Sequence, residues 1–150
     1  MKAVVIDTST EKSIILFIEK ERVLKKISLP VGYQSSRVLI TYLEAGFQEL
    51  KLRPQDLDYV GATQGPGLLT GIRVGIAVAE GLSFGASLPL IGIGSLSSFI
   101  ADAKYFASVM DARIQGAYVL RQRREGGEIV EEGEPSFIPF DKLSFEGFDV

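Results

Sequence analysis

With 150 residues, 46% of them apolar, and a net charge of only −3, the chain fits one ordinary domain or two very small ones and is too apolar to be disordered. It has no cysteine, which excludes disulfides and thiol chemistry, and no histidine, which removes the commonest general base and metal ligand. Its basic residues form no stripe for direct binding of nucleic acid and no apolar run has the length of a membrane span, so we expect a cytoplasmic protein.

The first third of the chain predicts three strands and a helix. Apolar runs predict strands over Lys2–Asp7, Ser13–Glu19 and Val23–Leu29. Ser36 is the expected N-cap of a helix that ends near Leu50. Apolar residues recur in this helix at near-helical spacing with two more on one flank, so its apolar surface is wider than one core-facing stripe needs: Leu39, Leu43, Phe47 and Leu50, flanked by Val38 and Tyr42.

The middle third predicts an alternation of strands and helices. Tyr59–Thr63 is expected to be a fourth strand, followed by a glycine-rich turn and a helix from about Leu69 to Gly85. Pro89–Ile93 is expected to be a fifth strand, and Ser95 to cap a short helix that ends near Ala101. Three strands followed by helix, strand, helix, strand and helix predict an α/β layer with a mixed sheet.

The last third repeats the start of the chain. Residues 107–111 form an apolar run that ends in Asp111, as residues 3–7 end in Asp7, and further strands are expected at Ala117–Gln122 and Glu128–Glu132. This predicts a duplicated unit, with a first half at 1–103 and a shortened second half at 104–150. No amphipathic helix is evident after Pro135. Four aromatic residues of this tail are expected to pin a loop onto the core: Phe137, Phe140, Phe145 and Phe148.

The glycine-rich turn, Gly65–Gly71, has two interpretations. Glycines before a helix can present backbone N–H groups to a phosphate. However, no Gly-Lys-Ser/Thr closes the loop, and Thr70 stands where the dinucleotide motif has its third glycine. A tight turn that lets the helix pack closely is therefore the favoured interpretation.

Two acids stand at the ends of matching strands, Asp7 and Asp111. Carboxylates from two duplicated halves could hold a metal–nucleotide, with Thr8 and Ser9 beside Asp7, or could work as acid and base. Alternatively, each carboxylate accepts backbone N–H groups within its own turn. Because neither turn contains histidine or lysine, the second interpretation is favoured.

The helix after the glycine-rich turn is rich in small residues. Gly71, Gly75, Ala79 and Gly85 lie at spacings near four, with Ala77 and Gly81 beside them. Each internal glycine costs a helix about 1 kcal/mol relative to alanine, so we expect close packing on a strand, on a partner's helix, or on both. Arg73, Glu80 and the short length argue against a membrane role. Together with the preceding helix, this predicts a partner interface made of Val38, Tyr42, Gly71, Arg73, Gly75 and Ala79.

Three segments resemble the bacterial TsaB (YeaZ) family: residues 3–10 (AVVIDTST), 65–82 (GPGLLTGIRVGIAVAEGL) and 89–96 (PLIGIGSL). Asp111-Ala112-Arg113 followed by Gly116-Ala117-Tyr118 is similar to the strand pair that opens the second half of that family. The resemblance runs from residue 3 to about 123. It implies an actin-like (ASKHA) α/β fold with a complete first βββαβα half and a truncated second half.

The resemblance also implies a function. In that family's system, TsaB is regarded as a catalytically inert partner of the paralogue TsaD in forming N6-threonylcarbamoyladenosine on tRNA, and the ATPase TsaE assists. TsaB binds TsaD through helices of its first half. By this resemblance we expect a scaffold with no catalytic residues, no metal and no cofactor. Its partners would be a TsaD-like subunit and a TsaE-like ATPase, with tRNA contacted only indirectly and a homodimer possible when the protein is alone.

Two departures from the family pattern concern catalysis. Family members usually carry a His-Ser pair just before the first helix, where this chain has Gln34-Ser35 or Ser35-Ser36. The short second half leaves no place for the glycine-rich adenosine loop of an actin-like fold. Both departures argue against ATP hydrolysis and against the peptidase activity that the historical glycoprotease label of this superfamily suggests. A small nucleotide-binding ATPase is the alternative function, and a glycoprotease-type peptidase is a remote one.

Overall fold

The computed structural model describes residues 1–31 and 34–148, with the backbone alone for residues 34–36. These residues divide into two compact units, Met1–Ile93 and Gly94–Val150. The mixed α/β class predicted from the order of elements is confirmed. The described strands and α-helices are β1 (Lys2–Asp7), β2 (Ile14–Glu19), β3 (Arg22–Ser28), α1 (Gln34–Leu50), β4 (Tyr59–Gly65), α2 (Leu69–Ala86), β5 (Leu90–Gly94), β6 (Tyr105–Asp111), β7 (Gly116–Glu125), β8 (Glu128–Glu131) and β9 (Ser136–Pro139).

The first unit is built on a mixed five-stranded sheet with the strand order β3-β2-β1-β4-β5. β1 runs antiparallel to β2 and parallel to β4. The rings of Phe17 and Phe47 meet edge to face, with centroids 5.1 Å apart, and join β2 to α1. Alternate strand residues pack against the two helices to form one buried core: Val4, Ile6, Ile15, Phe17, Leu39, Leu43, Phe47, Val60, Ala62 and Ala79.

The start of α1 differs from the prediction. The helix begins at Gln34, two residues before Ser36, so the expected N-cap was wrong. The error arose because the apolar spacing that indicates this helix begins only at Val38, and a serine is also tolerated inside a first turn. Leu39, Leu43 and Phe47 are buried, as their spacing predicted.

α2 agrees with its predicted bounds to within one residue, and its Ile72, Gly75 and Ala79 are buried. Among the described residues, it is the one helix long and apolar enough to cross a membrane, so the expectation that no segment reaches that length was wrong. Length and composition alone do not distinguish a membrane helix from a core helix. One side of α2 packs closely on β1, as described below, while most of the helix is not buried within the chain.

The second unit repeats the first three strands of the chain. β6 pairs antiparallel with β7, and β7 pairs antiparallel with β8, as β1, β2 and β3 do in the first unit. β9 was not predicted; it pairs with β7 along Gly116–Val119, beyond β8. Four residues that end in a proline carry no periodic signal, and their pairing depends on residues far away in the sequence.

The division between the units lies at 93/94, ten residues before the predicted boundary at 103/104. The segment expected to be a helix from Ser95 to Ala101 forms only a 3₁₀ turn at Leu96–Ser98. Two of its carbonyl oxygens accept bonds from strand side chains instead: Ser108 Oγ donates to Phe99 (3.4 Å) and Arg124 Nη2 donates to Ala101 (3.0 Å). These bonds attach the segment to the second unit.

The tail aromatics divide into two pairs. Phe145 and Phe148 pack with Ile138 and Leu143 against the buried residues of β6 and β7, as expected. The expectation was wrong for Phe137 and Phe140, which are 42% and 54% exposed. One side of the Phe137 ring covers Gly116 and meets the Tyr118 ring edge to face, while the rest of the ring is exposed.

Candidate functional site

Asp7, at the end of β1, holds together the loop that follows it. Its Oδ1 accepts three hydrogen bonds, from the Ser9 N–H (2.9 Å), from Ser9 Oγ (2.6 Å) and from Thr63 Oγ1 (3.0 Å). Ser9 and Thr63 are almost fully buried, and Thr63 belongs to β4, the parallel neighbour of β1. We call Asp7, Ser9 and Thr63 the Asp7 cluster. Its geometry is that of a structural tie between the end of β1 and the end of β4.

Thr8 joins the same loop to α2. Its Oγ1 donates a hydrogen bond to the Gly71 carbonyl at 2.7 Å. A Cβ added at Gly71 would overlap the Thr8 carbonyl oxygen, and one added at Gly75 would overlap Thr8 Oγ1. Glycine is required at both positions because α2 approaches the backbone of this loop too closely for any side chain. Ala79 continues the same side of the helix and is fully buried.

This packing gives Gly71, Gly75 and Ala79 a role within the fold, and the predicted partner interface stays a prediction. Gly71, Gly75 and Ala79 all pack against the chain's own first unit, where Gly75 and Ala79 are buried and Gly71 is half-buried. The spacing of small residues correctly indicated a close approach, but the surface that makes the approach is the end of β1. Val38 and Tyr42 are half-buried against the same core, and Arg73 is the one member of the predicted set that is exposed.

The glycine-rich turn is built against Ser9. The Leu68 N–H, at the start of α2, donates to the Ser9 carbonyl at 2.7 Å. A Cβ added at Gly67 would overlap that same carbonyl, and Gly65 has a φ of +109°, which side chains rarely allow. Close packing thus accounts for the glycines, in agreement with the favoured interpretation. The first amide of the helix is directed at a protein carbonyl, where a phosphate cradle would direct it at an anion.

Asp111 makes the same local turn in the second unit. Its Oδ1 accepts the Arg113 N–H at 2.7 Å, as Asp7 accepts the Ser9 N–H. Each acid therefore accepts a backbone N–H in its own turn, which was the favoured interpretation for both. Asp111 is exposed, whereas the donors around Asp7 are buried.

The structure brings Asp7, Thr8 and Ser9 together in the first unit, while Asp111 belongs to the second. Thr63 was not predicted as a member of the cluster, because no local signal links it to residues more than fifty positions earlier. Across 1–31 and 34–148, no three Asp or Glu side chains are grouped so that they could hold a metal ion. Gln34-Ser35 and Ser35-Ser36 fall where side chains are not described.

The other side of α2 is a second stripe, which we call the outer face of α2: Leu69, Arg73, Ala77, Gly81, Phe84 and Gly85. Leu69 is 61% and Phe84 89% exposed. A Cβ added at Gly81 or Gly85 would meet no atom within 4 Å. The outer face of α2 has the same four-residue spacing as the stripe of Gly71, Gly75 and Ala79, so the sequence pattern indicated both stripes. The spacing could not indicate which of the two stripes faces the sheet.

The family model described as TsaD, tRNA N6-adenosine threonylcarbamoyltransferase, matches residues 31–147. The chain belongs to this family. Among curated relatives, it is 29% identical over 126 residues to the tRNA threonylcarbamoyladenosine biosynthesis protein TsaB of Haemophilus influenzae, covering 80% of this chain and 53% of that protein. It is 25% identical over 131 residues to the TsaB of Bacillus subtilis, covering 84% and 57%. These relatives agree with the TsaB (YeaZ) resemblance read from the motifs, and the chain spans about half of their length.

Two solved structures have the same fold. YeaZ from Pseudomonas aeruginosa matches 95% of this chain and 70% of its own with a TM-score of 0.84 at 22% identity. An ROK hexokinase from Thermus thermophilus matches 89% of this chain and 50% of its own with a TM-score of 0.51 at 17% identity. The predicted actin-like fold is therefore confirmed for this member of the TsaB/TsaD family.

Proposed function

We propose that this protein takes part in tRNA threonylcarbamoyladenosine biosynthesis as a non-catalytic partner of a TsaD-like subunit, in the cytoplasm and with tRNA contacted only indirectly. The observation that carries the proposal is the outer face of α2. One side of this helix is fixed to the sheet by close packing, while the opposite side exposes apolar and small residues to solvent.

The outer face of α2 is suited to a protein partner. Leu69 and Phe84 are large exposed apolar side chains near the two ends of the helix. Between them, Ala77 and Gly81 leave the helix backbone open to a close approach. The same face also carries two exposed charged side chains, Arg73 and Glu80, and exposed apolar surface next to charged groups is typical of interaction sites.

The chemistry of the described residues supports a non-catalytic role. The chain has no histidine or cysteine, so a peptidase nucleophile would lack its usual base. One oxygen of Asp7 already accepts three hydrogen bonds from its own fold. A TsaE-like ATPase in a larger complex and a homodimer of the free protein stay predictions.

Binding to the cognate TsaD-like protein tests the proposal. We expect the two proteins to co-elute from a sizing column, and Gly81→Trp to abolish co-elution because a bulky ring would hold the partner away from α2. Glu21→Trp, on the exposed turn between β2 and β3, is the matched control and should bind normally. Gly75 and Ala79 are unsuitable for this test because replacing them would disturb the fold itself. Unchanged binding by Gly81→Trp, or none by the unmodified chain, would contradict the proposal.

The alternative function, a nucleotide-binding ATPase, depends on Asp7, Thr8 and Ser9. We expect isothermal titration with Mg–ATP to give no micromolar binding, because Oδ1 of Asp7 and the Leu68 amide are engaged within the protein. Micromolar binding that is lost in Asp7→Asn, with the fold intact by circular dichroism, would favour the ATPase instead.

A further inference from the structure

The repeated strand motif is covered differently in the two units. In the first unit, α1 follows β3 and packs on the sheet. In the second unit, β8 is followed by β9 and then by residues 140–148, which contain one 3₁₀ turn and no strand. We call residues 140–148 the strap. Three of its side chains, Leu143, Phe145 and Phe148, pack on the buried alanine and valine residues of β6 and β7.

In the first unit, the helices cover the face of β1 that carries Val4 and Ile6. The Met1 carbonyl accepts the Lys20 N–H in the direction of β2. Because main-chain groups alternate in direction along a strand, those of Val4 and Ile6 point away from β2. Side chains on one face of a strand all have their main-chain groups on the same side of it. The face covered by helices is thus the one whose residues point their main-chain groups away from the second strand.

The strap covers the matching face of the second unit. The Lys104 carbonyl accepts the Arg124 N–H in the direction of β7, so the main-chain groups of Ala107 and Val109 point away from β7. The side chains of Ala107 and Val109 lie in the cluster that the strap covers. The strap therefore takes the place that a helix has in the first unit.

The strap buries its side chains less completely than α1 does. Leu143, Phe145 and Phe148 are all half-buried. By contrast, the apolar residues that α1 places on its sheet are at most 8% exposed: Leu39, Leu43 and Phe47. Opening of the strap therefore transfers to water side chains that are already partly in water.

Few hydrogen bonds hold the strap to the sheet. The Phe140 N–H donates to the Gln115 carbonyl, in the turn between β6 and β7, at 3.1 Å. Beyond Phe140 the backbone bonds are local, from the Leu143 N–H to the Phe140 carbonyl and from the Phe148 N–H to the Phe145 carbonyl. Within the described part of the chain, no backbone hydrogen bond joins residues 141–148 to a strand. The strap is thus fixed by its backbone at Phe140 and by side chains elsewhere.

The far end of the strap is held by contacts of one ring. The Phe148 ring meets the Tyr105 ring edge to face, with centroids 6.2 Å apart, and the Arg121 guanidinium lies 5.6 Å from the Phe148 centroid. Tyr105 is 41% exposed. Contacts of this kind contribute less beside solvent than in a desolvated site.

We propose that the strap is a lid that opens over the sheet of the second unit while β6, β7, β8 and β9 stay paired. Local opening is expected where a segment has few buried apolar contacts and few hydrogen bonds to the rest of the fold. The hinge is Phe140, whose N–H is bonded to the turn between β6 and β7. The second unit therefore has a closed form and an open form, and opening uncovers one apolar face of the sheet: Ala107, Val109, Ala117 and Val119.

Native-state labelling of a single introduced cysteine tests the proposal. The chain has no cysteine, so dithiobisnitrobenzoate reports one position at a time. Ala107 and Ser108 are neighbours in β6 and are each 5% exposed. Ala107 lies under the strap, whereas Ser108 lies on the opposite face, where its Oγ bonds to Gln122 at 2.7 Å. We expect Ala107→Cys to be labelled at least about tenfold faster than Ser108→Cys without denaturant, because strap opening exposes only the first position.

Ser108→Cys is the matched control, because it lies in the same strand and unit at the same burial. A weaker bond to Gln122 would speed its own labelling, so this control works against the expected difference. The labelling rate of Ala107→Cys should also be nearly independent of urea below the unfolding transition, since opening of the strap exposes little surface. Equal rates for the two variants, or a rate for Ala107→Cys that rises with urea as global unfolding does, would overturn the proposal.

Phe148→Ala combined with Ala107→Cys gives a second test that does not depend on Ser108→Cys. Loss of the ring removes the contacts with Tyr105 and Arg121, so labelling should become about three- to tenfold faster. Phe137→Ala is the matched control, since Phe137 is a 42% exposed aromatic residue of β9, outside the strap, and its loss should leave the rate unchanged. An unchanged rate in Phe148→Ala, or the same acceleration by Phe137→Ala, would refute the lid.

Discussion

Gly75→Ala is expected to lower the free energy of unfolding by about 2–6 kcal/mol. The added Cβ would overlap Thr8 Oγ1, which donates to the Gly71 carbonyl at 2.7 Å. Relieving the overlap requires α2 to move from β1 or Thr8 to give up its bond. Overpacking of this kind costs about 1–3 kcal/mol, and a buried hydrogen-bonding group left without its partner costs about 1–3 kcal/mol more. Urea unfolding followed by circular dichroism measures the change.

Gly81→Ala is the matched control, because it makes the same substitution six residues further along the same helix, on its outer face. Nothing lies within 4 Å of its added Cβ, so the higher helix propensity of alanine should raise the free energy of unfolding by about 0.5–1 kcal/mol. Equal stability of the two variants would mean that α2 is not packed closely on β1. Gly75 would then again be a candidate for the partner interface.

This pair of variants also shows what the sequence could and could not predict about α2. The bounds of the helix and its need for close contact follow from local composition. However, Gly71, Gly75 and Ala79 form one small stripe, and Ala77, Gly81 and Gly85 form another with the same spacing. Only the position of Thr8 relative to the helix distinguishes them. That position is set by the parallel pairing of β1 and β4, which no local pattern contains.

The candidate site, like α2, could be predicted only where its contacts are local in the sequence. The turns at Asp7 and Asp111 are local, since each carboxylate accepts the N–H two residues later, and the repeat of the motif indicated both. The contribution of Thr63 is long-range and was missed. β9 was missed for the same reason, because only its pairing with β7 defines it as a strand. The mixed α/β class, by contrast, follows from the order of the periodic elements, while the actin-like fold was implied by the family resemblance.

Asp7→Ala is expected to lower the free energy of unfolding by about 3–5 kcal/mol, because three donors lose one acceptor and each buried unsatisfied group costs about 1–3 kcal/mol. Those donors are the Ser9 N–H, Ser9 Oγ and Thr63 Oγ1, and both residues are almost fully buried. Asp7→Asn keeps a side-chain oxygen as acceptor and should recover part of the loss. Thermal and urea unfolding of the three proteins measure the series.

Asp111→Ala is the control supplied by the chain's own repeat. Asp111 accepts one backbone N–H and is exposed, so water can replace the lost acceptor and the change should be about 1 kcal/mol or less. The contrast separates the two roles considered for Asp7. If Asp7 only holds the fold together, removing its carboxylate lowers the stability of the protein whether or not nucleotide is present. Asp7→Ala could instead lower the free energy of unfolding as little as Asp111→Ala does and yet remove Mg–ATP binding. The Asp7 carboxylate would then be a ligand for nucleotide, and the ATPase function would replace the proposed non-catalytic role.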